Sequence, residues 1–328
     1  MNIQVHQKVT DLLNGYRQAQ LIITAVRLGL FDLLGKEAKT TEQLASELRV
    51  SHRGICILCD ALAAVGLLIK SGSKYRLLDA ARDILLSDGS ATMVPLIRHA
   101  ALLYAKWGRL FEAVTTGKPV DSSVIDSQLV KEDNFAMAMA SAAYPVAKET
   151  VDMLDLSNAR SLLDVGGGPG IYAIEFALKN PELKVYLLDS KEAIKVAETN
   201  IKNSGVSNRI ILVECDVFNY KPPHEFCAVF MSNVIHQYGY DQNLALVKRC
   251  GSFLRGGGLL YIKDFVLDDD RTSPLQASLF AVNMLVNTEN GNCYTEKEIC
   301  EWILASGLFP EKTIHLSLPS KIIVASKK

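Results

Sequence analysis

SLLDVGGGPG, at residues 161–170, combines a short apolar run with closely spaced glycines, and the helical pattern IYAIEFALKN follows at once. An apolar strand, a tight turn and a helix in this order form the repeating unit of a parallel α/β sheet. Glycine at these positions lets the backbone lie against a ligand, and the start of the helix offers unpaired N–H groups. The segment therefore predicts a ligand-binding loop that contains Gly166, Gly168 and Gly170.

An acidic residue accompanies each of the first three predicted strands. Asp164 lies two residues before the first glycine, VYLLDS (185–190) brings Asp189, and IILVECDVF (210–218) predicts a strand that ends in Asp216. A carboxylate at Asp164 would repel a pyrophosphate and suits a cation, such as the amino group of a methionyl moiety. Asp189 is placed to bind ribose hydroxyls, and Asp216 to accept a hydrogen bond from an adenine amine. Together they predict S-adenosylmethionine as the cofactor rather than a dinucleotide. The remaining candidate cofactor-binding residues are Ser190, Val217 and Ser232.

The rest of the C-terminal half continues the α/β alternation. EFCAVFMSNV (225–234) and GGGLLYIKDFV (256–266) predict strands, and KTIHLSL and SKIIVASK predict a closing antiparallel pair. Ligands of such sheets bind at the carboxyl ends of the parallel strands. We therefore expect the acids above to converge there with His236.

The N-terminal part has a helix–turn–helix–hairpin pattern. Thr40 and Gln43 form a capping box, the apolar helix GICILCDALAAVG ends at Gly66, and LLIKSGSKYRLLD predicts a hairpin. This pattern is typical of a winged helix. Only His52 and Arg53 precede the apolar face of the second helix, whereas reading DNA requires several polar side chains. The pattern favours a packing or dimerisation domain over a DNA-binding regulator that responds to S-adenosylmethionine.

Composition limits the partners. The chain has 328 residues, of which 49% are hydrophobic and 22% charged, and its net charge is −1. These values indicate a globular protein of two or three domains and count against a nucleic-acid partner. No uncharged apolar run approaches the roughly 18 residues of a membrane span, and the first residues lack a signal-peptide pattern. Seven cysteines, an odd number in mostly apolar contexts, indicate reduced thiols, a cytoplasmic protein and no metal site.

Taken together, LLDVGGGPG, NVIHQY, GGGLLYIKDFVLDDDR, NMLV and YTEKE resemble the S-adenosylmethionine-dependent O-methyltransferases of the caffeic acid and acetylserotonin type. The resemblance implies a Rossmann-like class I methyltransferase domain (an α/β fold), an N-terminal all-helical winged-helix dimerisation domain and a homodimer. By position it makes His236 the catalytic base and Asp264 the acid beside it. Gln237 stands where the family has Asp, and Cys293 where it has Glu.

The expected organisation has three segments. Residues 1–95 form the dimerisation domain, 96–155 a helical connector that contributes to the acceptor pocket, and 156–328 the cofactor-binding domain. We expect methyl transfer to a small aromatic or conjugated acceptor, with O-methylation favoured. Methylation of carbon or nitrogen, and a bound cofactor that assists another reaction, stay open. Candidate acceptor-binding residues are Tyr104, Trp107, Tyr144, Asn283 and Met284.

Overall fold

The alternating pattern that begins at residue 161 forms a seven-stranded sheet in the computed structural model, which describes residues 3–132, 134–317 and 319–328. The chain divides into two units. The first contains Met1–Tyr104 and Asp126–Ser141, and the second contains Ala105–Ile125 and Ala142–Lys328. Two of the three boundaries fall inside helices, α7 (Val94–Trp107) and α10 (Phe135–Asp152), and the third follows Ile125. The expected three-segment organisation stays a prediction.

The large sheet of the second unit has the order β11-β12-β8-β7-β4-β5-β6. Its first five strands along the chain are parallel, whereas β12 runs antiparallel to β8 and β11 antiparallel to β12. The bounds are β4 (Ser161–Val165), β5 (Lys184–Asp189), β6 (Ile210–Glu214), β7 (Phe226–Ser232), β8 (Leu254–Asp264), β11 (Phe309–His315) and β12 (Lys321–Ser326). The predicted closing antiparallel pair is confirmed, and Leu318, in its predicted first strand, lies outside the described residues.

Helices connect these strands. Those of the second unit are α8 (Leu110–Thr116), α11 (Ile171–Lys179), α12 (Lys191–Lys202), α13 (Tyr240–Ser252), α14 (Leu275–Asn287) and α15 (Glu296–Ala305), and a short parallel pair is formed by β9 (Val266–Leu267) and β10 (Tyr294–Thr295). Alternate residues of the central strands enter two separate apolar clusters, because successive side chains of a strand point to opposite faces. Leu163 and Val229 enter one cluster, and Leu162 and Phe230 the other. The sheet is therefore buried on both faces.

One predicted boundary is wrong. The strand expected over 210–218 ends at Glu214, so Asp216 lies in the loop that follows β6. The Asp216 carboxylate accepts the Phe218 N–H at 2.8 Å, and its carbonyl accepts the Asn219 N–H at 3.0 Å. An aspartate that bonds the backbone two residues on starts a turn, and this turn ends the strand.

The first unit is mainly helical. Its helices, besides parts of α7 and α10, are α1 (Ile3–Asn14), α2 (Tyr16–Arg27), α3 (Leu30–Lys36), α4 (Thr41–Leu48), α5 (His52–Ala64), α6 (Arg82–Leu85) and α9 (Ser127–Glu132), and a small antiparallel sheet has the order β1 (Lys39–Thr40), β3 (Lys74–Leu77), β2 (Leu68–Ser71). The predicted capping box is confirmed, because Thr40 Oγ1 accepts the Gln43 N–H and Gln43 Oε1 accepts the Thr40 N–H. His52 at the start of α5 contacts Thr41 and Glu42 of the preceding helix.

Across the described ranges, no single helix has the length and apolar character that a membrane span requires. One pair, Ile3–Arg27 with Leu30–Lys36, meets that test of length and composition only when taken together, and the two parts are bent by 68°.

Candidate active site

The glycine loop between β4 and α11 folds back against the end of β5. The Gly166 N–H donates to the Leu188 carbonyl at 2.8 Å, and the Gly168 N–H donates to Asp189 Oδ2 at 2.8 Å. Gly168 has a φ of +54°, a left-handed conformation that glycine adopts without strain. Sequence reasoning missed Gly167. A Cβ there would lie 2.8 Å from Asp164 Oδ2 and 2.6 Å from Leu187 Cγ, so only glycine fits.

Asp164 is the most unusual carboxyl group of this loop. Its side chain is 1% exposed, and its Oδ2 has no hydrogen-bond partner within the part of the chain that the structure describes. Burial, together with the nearby charge of Asp189, raises its pKa from 3.8 to about 8. A carboxyl in this state is stabilised in its ionised form by a cation brought beside it.

Asp189, at the end of β5, is held by backbone groups. Its Oδ2 accepts the Gly168 N–H, and its Oδ1 accepts the Ser190 N–H at 2.6 Å. Its carbonyl accepts the Cys215 N–H, which joins it to the loop containing Asp216. Burial raises the pKa of Tyr238, with smaller contributions from the charges of Asp216 and Asp189. These three groups therefore lie near one another. Ser190 Oγ accepts the Ala193 N–H and caps α12, and Val217 is buried.

The end of β7 carries two unsatisfied polar groups. Ser232 Oγ and Asn233 Oδ1 are buried and, among the described residues, have no hydrogen-bond partner. Asn233 has a φ of +58°, which is uncommon for a residue other than glycine. Ser232 was a sequence candidate, whereas Asn233 was missed because its conformation and burial follow from the fold. Buried polar atoms normally have a partner, so these two indicate a ligand or ordered water at this edge.

His236 and Asp264 form a buried pair at the ends of adjacent strands. His236 Nδ1 lies 2.8 Å from Asp264 Oδ1, and the two residues are 7% and 1% exposed. Asp264 Oδ1 also accepts the Phe265 N–H at 2.8 Å. A carboxylate only accepts hydrogen bonds, so Nδ1 carries the proton and Nε2 presents a lone pair. The ring of Phe280, on α14, packs edge-on against the imidazole with centroids 4.9 Å apart.

The two positions that depart from the family pattern hold neutral groups. Cys293 is fully buried among Leu267, Ala277 and their neighbours. Burial, with a contribution from the charge of Asp264, raises the pKa of its thiol to about 12. Gln237 is exposed. Within residues 3–132, 134–317 and 319–328, Asp264 is the one carboxylate that bonds His236.

Three of the candidate acceptor-binding residues, Trp107, Asn283 and Met284, lie close together. Trp107 Nε1 donates to Asn283 Oδ1 at 2.9 Å, and Met284 is buried beside Asn283 in α14. Asn283 and Met284 lie one helical turn beyond Phe280, the residue that contacts His236. Tyr144 is 58% exposed on α10, and Tyr104, 41% exposed, belongs to the other unit. Among the described residues, no group of three or more His, Cys, Asp or Glu side chains could hold a metal ion.

Comparisons with known proteins agree with this geometry. Residues 108–309 match the profile of the O-methyltransferase domain, and residues 10–87 match that of the O-methyltransferase dimerisation domain. The 3-hydroxy-5-methyl-1-naphthoate 3-O-methyltransferase of Streptomyces sahachiroi is 30% identical over 322 residues, which cover 95% of this chain and 92% of that protein. Human acetylserotonin O-methyltransferase is 25% identical over 304 residues, 87% and 88% of the two chains. The solved structure of PigF with SAH superimposes with a TM-score of 0.87 at 25% identity, covering 98% and 99%. The expected fold class is confirmed.

Proposed function

This chain belongs to the O-methyltransferase family, and from that premise we propose that it transfers a methyl group from S-adenosylmethionine to a hydroxyl group of a small aromatic acceptor. The observation that carries the proposal is the buried pair of His236 and Asp264. It stands at the carboxyl edge of the sheet, where His236 follows β7, the neighbour of the strand that leads into the glycine loop, and Asp264 ends β8. The two relatives described above are named for O-methylation of a hydroxynaphthoate and of acetylserotonin.

The residues at this edge fit S-adenosylmethionine. Asp164 has a raised pKa and, among the described residues, an oxygen without a partner, which suits a cationic amino group. Ser232 and Asn233, at the end of β7, offer further buried polar atoms that the described part of the chain leaves unsatisfied. Asp189 would bind the ribose hydroxyls and Asp216 the adenine amine. The remaining cofactor contacts are assigned to Gly166, Gly168, Gly170, Ser190 and Val217. When bound, this cofactor supplies a methyl group on a positively charged sulfur.

His236 acts on the acceptor. Its Nε2 lone pair removes the proton of the acceptor hydroxyl, because Asp264 holds the ring proton at Nδ1. The same carboxylate stabilises the imidazolium that forms. A positioned base of this kind contributes about 10²–10⁴-fold to the rate. Phe280 packs edge-on against the imidazole ring, which leaves the ring one less open side.

The decisive experiment compares two histidine variants in a screen of hydroxyarenes with isotopically labelled S-adenosylmethionine. We expect His236→Ala to retain cofactor affinity and to lose at least tenfold in turnover. The control, His315→Ala, changes an exposed histidine on β11 and should match the wild type. Mass spectrometry with fragmentation identifies the methylated atom. Unchanged turnover in His236→Ala would show that His236 is not the base. A product methylated on carbon or nitrogen would contradict the proposed O-methylation.

We also propose a homodimer formed through the first unit. Helix α1 has no buried residue, and its apolar side chains Ile3, Leu12 and Leu13 are 77%, 72% and 69% exposed. The match to a dimerisation domain covers residues 10–87. Sedimentation at micromolar concentration should give a dimer, and a compact monomer would contradict the proposal. We further propose a cytoplasmic location, which the seven free cysteines support. We also propose that residues 96–155 form a connector that contributes to the acceptor pocket.

A further inference from the structure

A hydrogen-bonded network beside α14, in the second unit, joins four side chains: Lys106, Trp107, Asn283 and Asn287. Trp107 Nε1 donates to Asn283 Oδ1 at 2.9 Å, and Lys106 Nζ donates to Asn287 Oδ1 at 3.0 Å. Asn287 Nδ2 in turn donates to the Asn283 carbonyl at 2.8 Å and to Asn283 Oδ1 at 3.2 Å. All four residues are half-buried, so these bonds are partly shielded from water.

The direction of these bonds is fixed by chemistry. The indole N–H and the lysine ammonium can only donate hydrogen bonds. Each must therefore face an amide oxygen, which fixes the orientation of both asparagine side chains. Asn283 Oδ1 already accepts two donors, so the polar group that Asn283 retains for a ligand is its Nδ2. Within the described residues Nδ2 makes no hydrogen bond.

Asn283 lies on the helix whose Phe280 contacts the candidate base. Phe280, one turn earlier on the same helix, contacts the imidazole of His236 at a centroid distance of 4.9 Å. Residues three apart on a helix lie on the same face. The charge of Lys106 polarises the Asn287 amide, which in turn polarises the Asn283 amide. Both effects act in the same direction and strengthen the Asn283 Nδ2 group as a hydrogen-bond donor.

We infer that Asn283 selects acceptors that carry a carboxylate or carbonyl oxygen beside the hydroxyl group to be methylated. This inference rests on the proposed O-methyl transfer. Trp107, Lys106 and Asn287 are positioning residues, because they act through the orientation of the Asn283 amide. An acceptor that presents only an N–H or O–H group to Asn283 finds no free hydrogen-bond acceptor there, because Asn283 Oδ1 already accepts two hydrogen bonds.

The test uses two acceptors that differ only in the carboxylate group beside the hydroxyl: 3-hydroxy-2-naphthoate and 2-naphthol. We expect the wild type to prefer the naphthoate by at least tenfold in kcat/KM. Asn283→Asp keeps an oxygen for Trp107 but loses the N–H donors, and it should reduce that preference at least tenfold. Trp107→Phe removes the shorter of the two hydrogen bonds that orient the amide and should reduce the preference about threefold. A merely structural role would lower kcat/KM for both acceptors and leave their ratio unchanged.

Binding to the enzyme loaded with S-adenosylhomocysteine separates this inference from the proposed function. No methyl group can move in that complex, so calorimetry reports acceptor preference alone. A wild-type preference for the naphthoate that Asn283→Asp and Trp107→Phe both reduce supports the inference, even if no acceptor is ever methylated. An unchanged affinity ratio in Trp107→Phe, or a wild-type preference for 2-naphthol, overturns it. Trp107→Phe keeps the test valid should Asn283→Asp fail to fold.

Discussion

Replacing Asp164 with asparagine removes an ionisable group without changing its shape. The carboxyl is buried, one of its oxygens has no hydrogen-bond partner in the described ranges, and its pKa is raised from 3.8 to about 8. At pH 6 to 7.5 most molecules therefore carry a proton on Asp164. A cationic amino group placed beside this carboxyl requires it to be ionised, so binding of the cofactor must release that proton.

The size of the effect follows from linkage. Below the pKa of Asp164, each pH unit changes the affinity up to tenfold, or about 1.4 kcal/mol. Between pH 6 and 7.5 the dissociation constant of S-adenosylhomocysteine should fall roughly 20-fold, or about 2 kcal/mol. Over this window an α-amino group of pKa about 8 keeps most of its own charge. The asparagine variant should lack this dependence.

Isothermal titration calorimetry at pH 6.5, in two buffers of different ionisation enthalpy, counts the protons released. We expect close to one proton per cofactor for the wild type and close to none for Asp164→Asn. Asp241→Asn, an exposed acid at the start of α13, should behave as the wild type. Equal proton counts and equal pH dependence in the wild type and Asp164→Asn would refute the placement of a cation beside Asp164.

Three further predictions concern the glycine loop with its neighbour Asp189 and the pair of His236 and Asp264. Gly167→Ala places a Cβ 2.6 Å from Leu187 Cγ and should destabilise the fold by about 1–3 kcal/mol, measured by urea unfolding; an unchanged midpoint would contradict the geometry. Asp189→Ala leaves two loop N–H groups without their acceptor and should weaken cofactor binding at least tenfold by calorimetry, so full affinity would exclude its proposed contact with the ribose. Asp264→Asn presents an amide to His236 and should lower turnover by about 10²-fold or more with cofactor affinity retained, whereas wild-type turnover would show that the carboxylate does not fix the tautomer.

The order of strands and helices could be predicted because strands such as β4, β5 and β6 are short, largely apolar runs that end at, or just before, a glycine or an acid. The β4 segment and its glycines are an example, since the pattern depends only on neighbours in the chain. The end of β6 was misplaced because apolar residues continue to Phe218, while the hydrogen bonds of Asp216 decide where the strand stops.

The site residues could also be predicted only in part, because the sequence names candidates but does not show which of them contact each other. His236 and Asp264 are 28 residues apart, and only the resemblance to a family joined them before the structure placed them 2.8 Å apart. The residues Trp107 and Asn283, separated by 176 positions, were grouped as pocket candidates, but nothing in the sequence shows that they bond each other. Asn233 gives no signal at all, because its role depends on a positive φ that the fold imposes.

The antiparallel strand β12 pairs with the strand that carries Asp264. It lies between β8 and β11, and its Lys321 is paired in register with Asp264. A truncation that removes residues from Lys321 onward would therefore leave the end of β8 without this neighbouring strand, although no residue proposed to contact the cofactor or the acceptor would be lost.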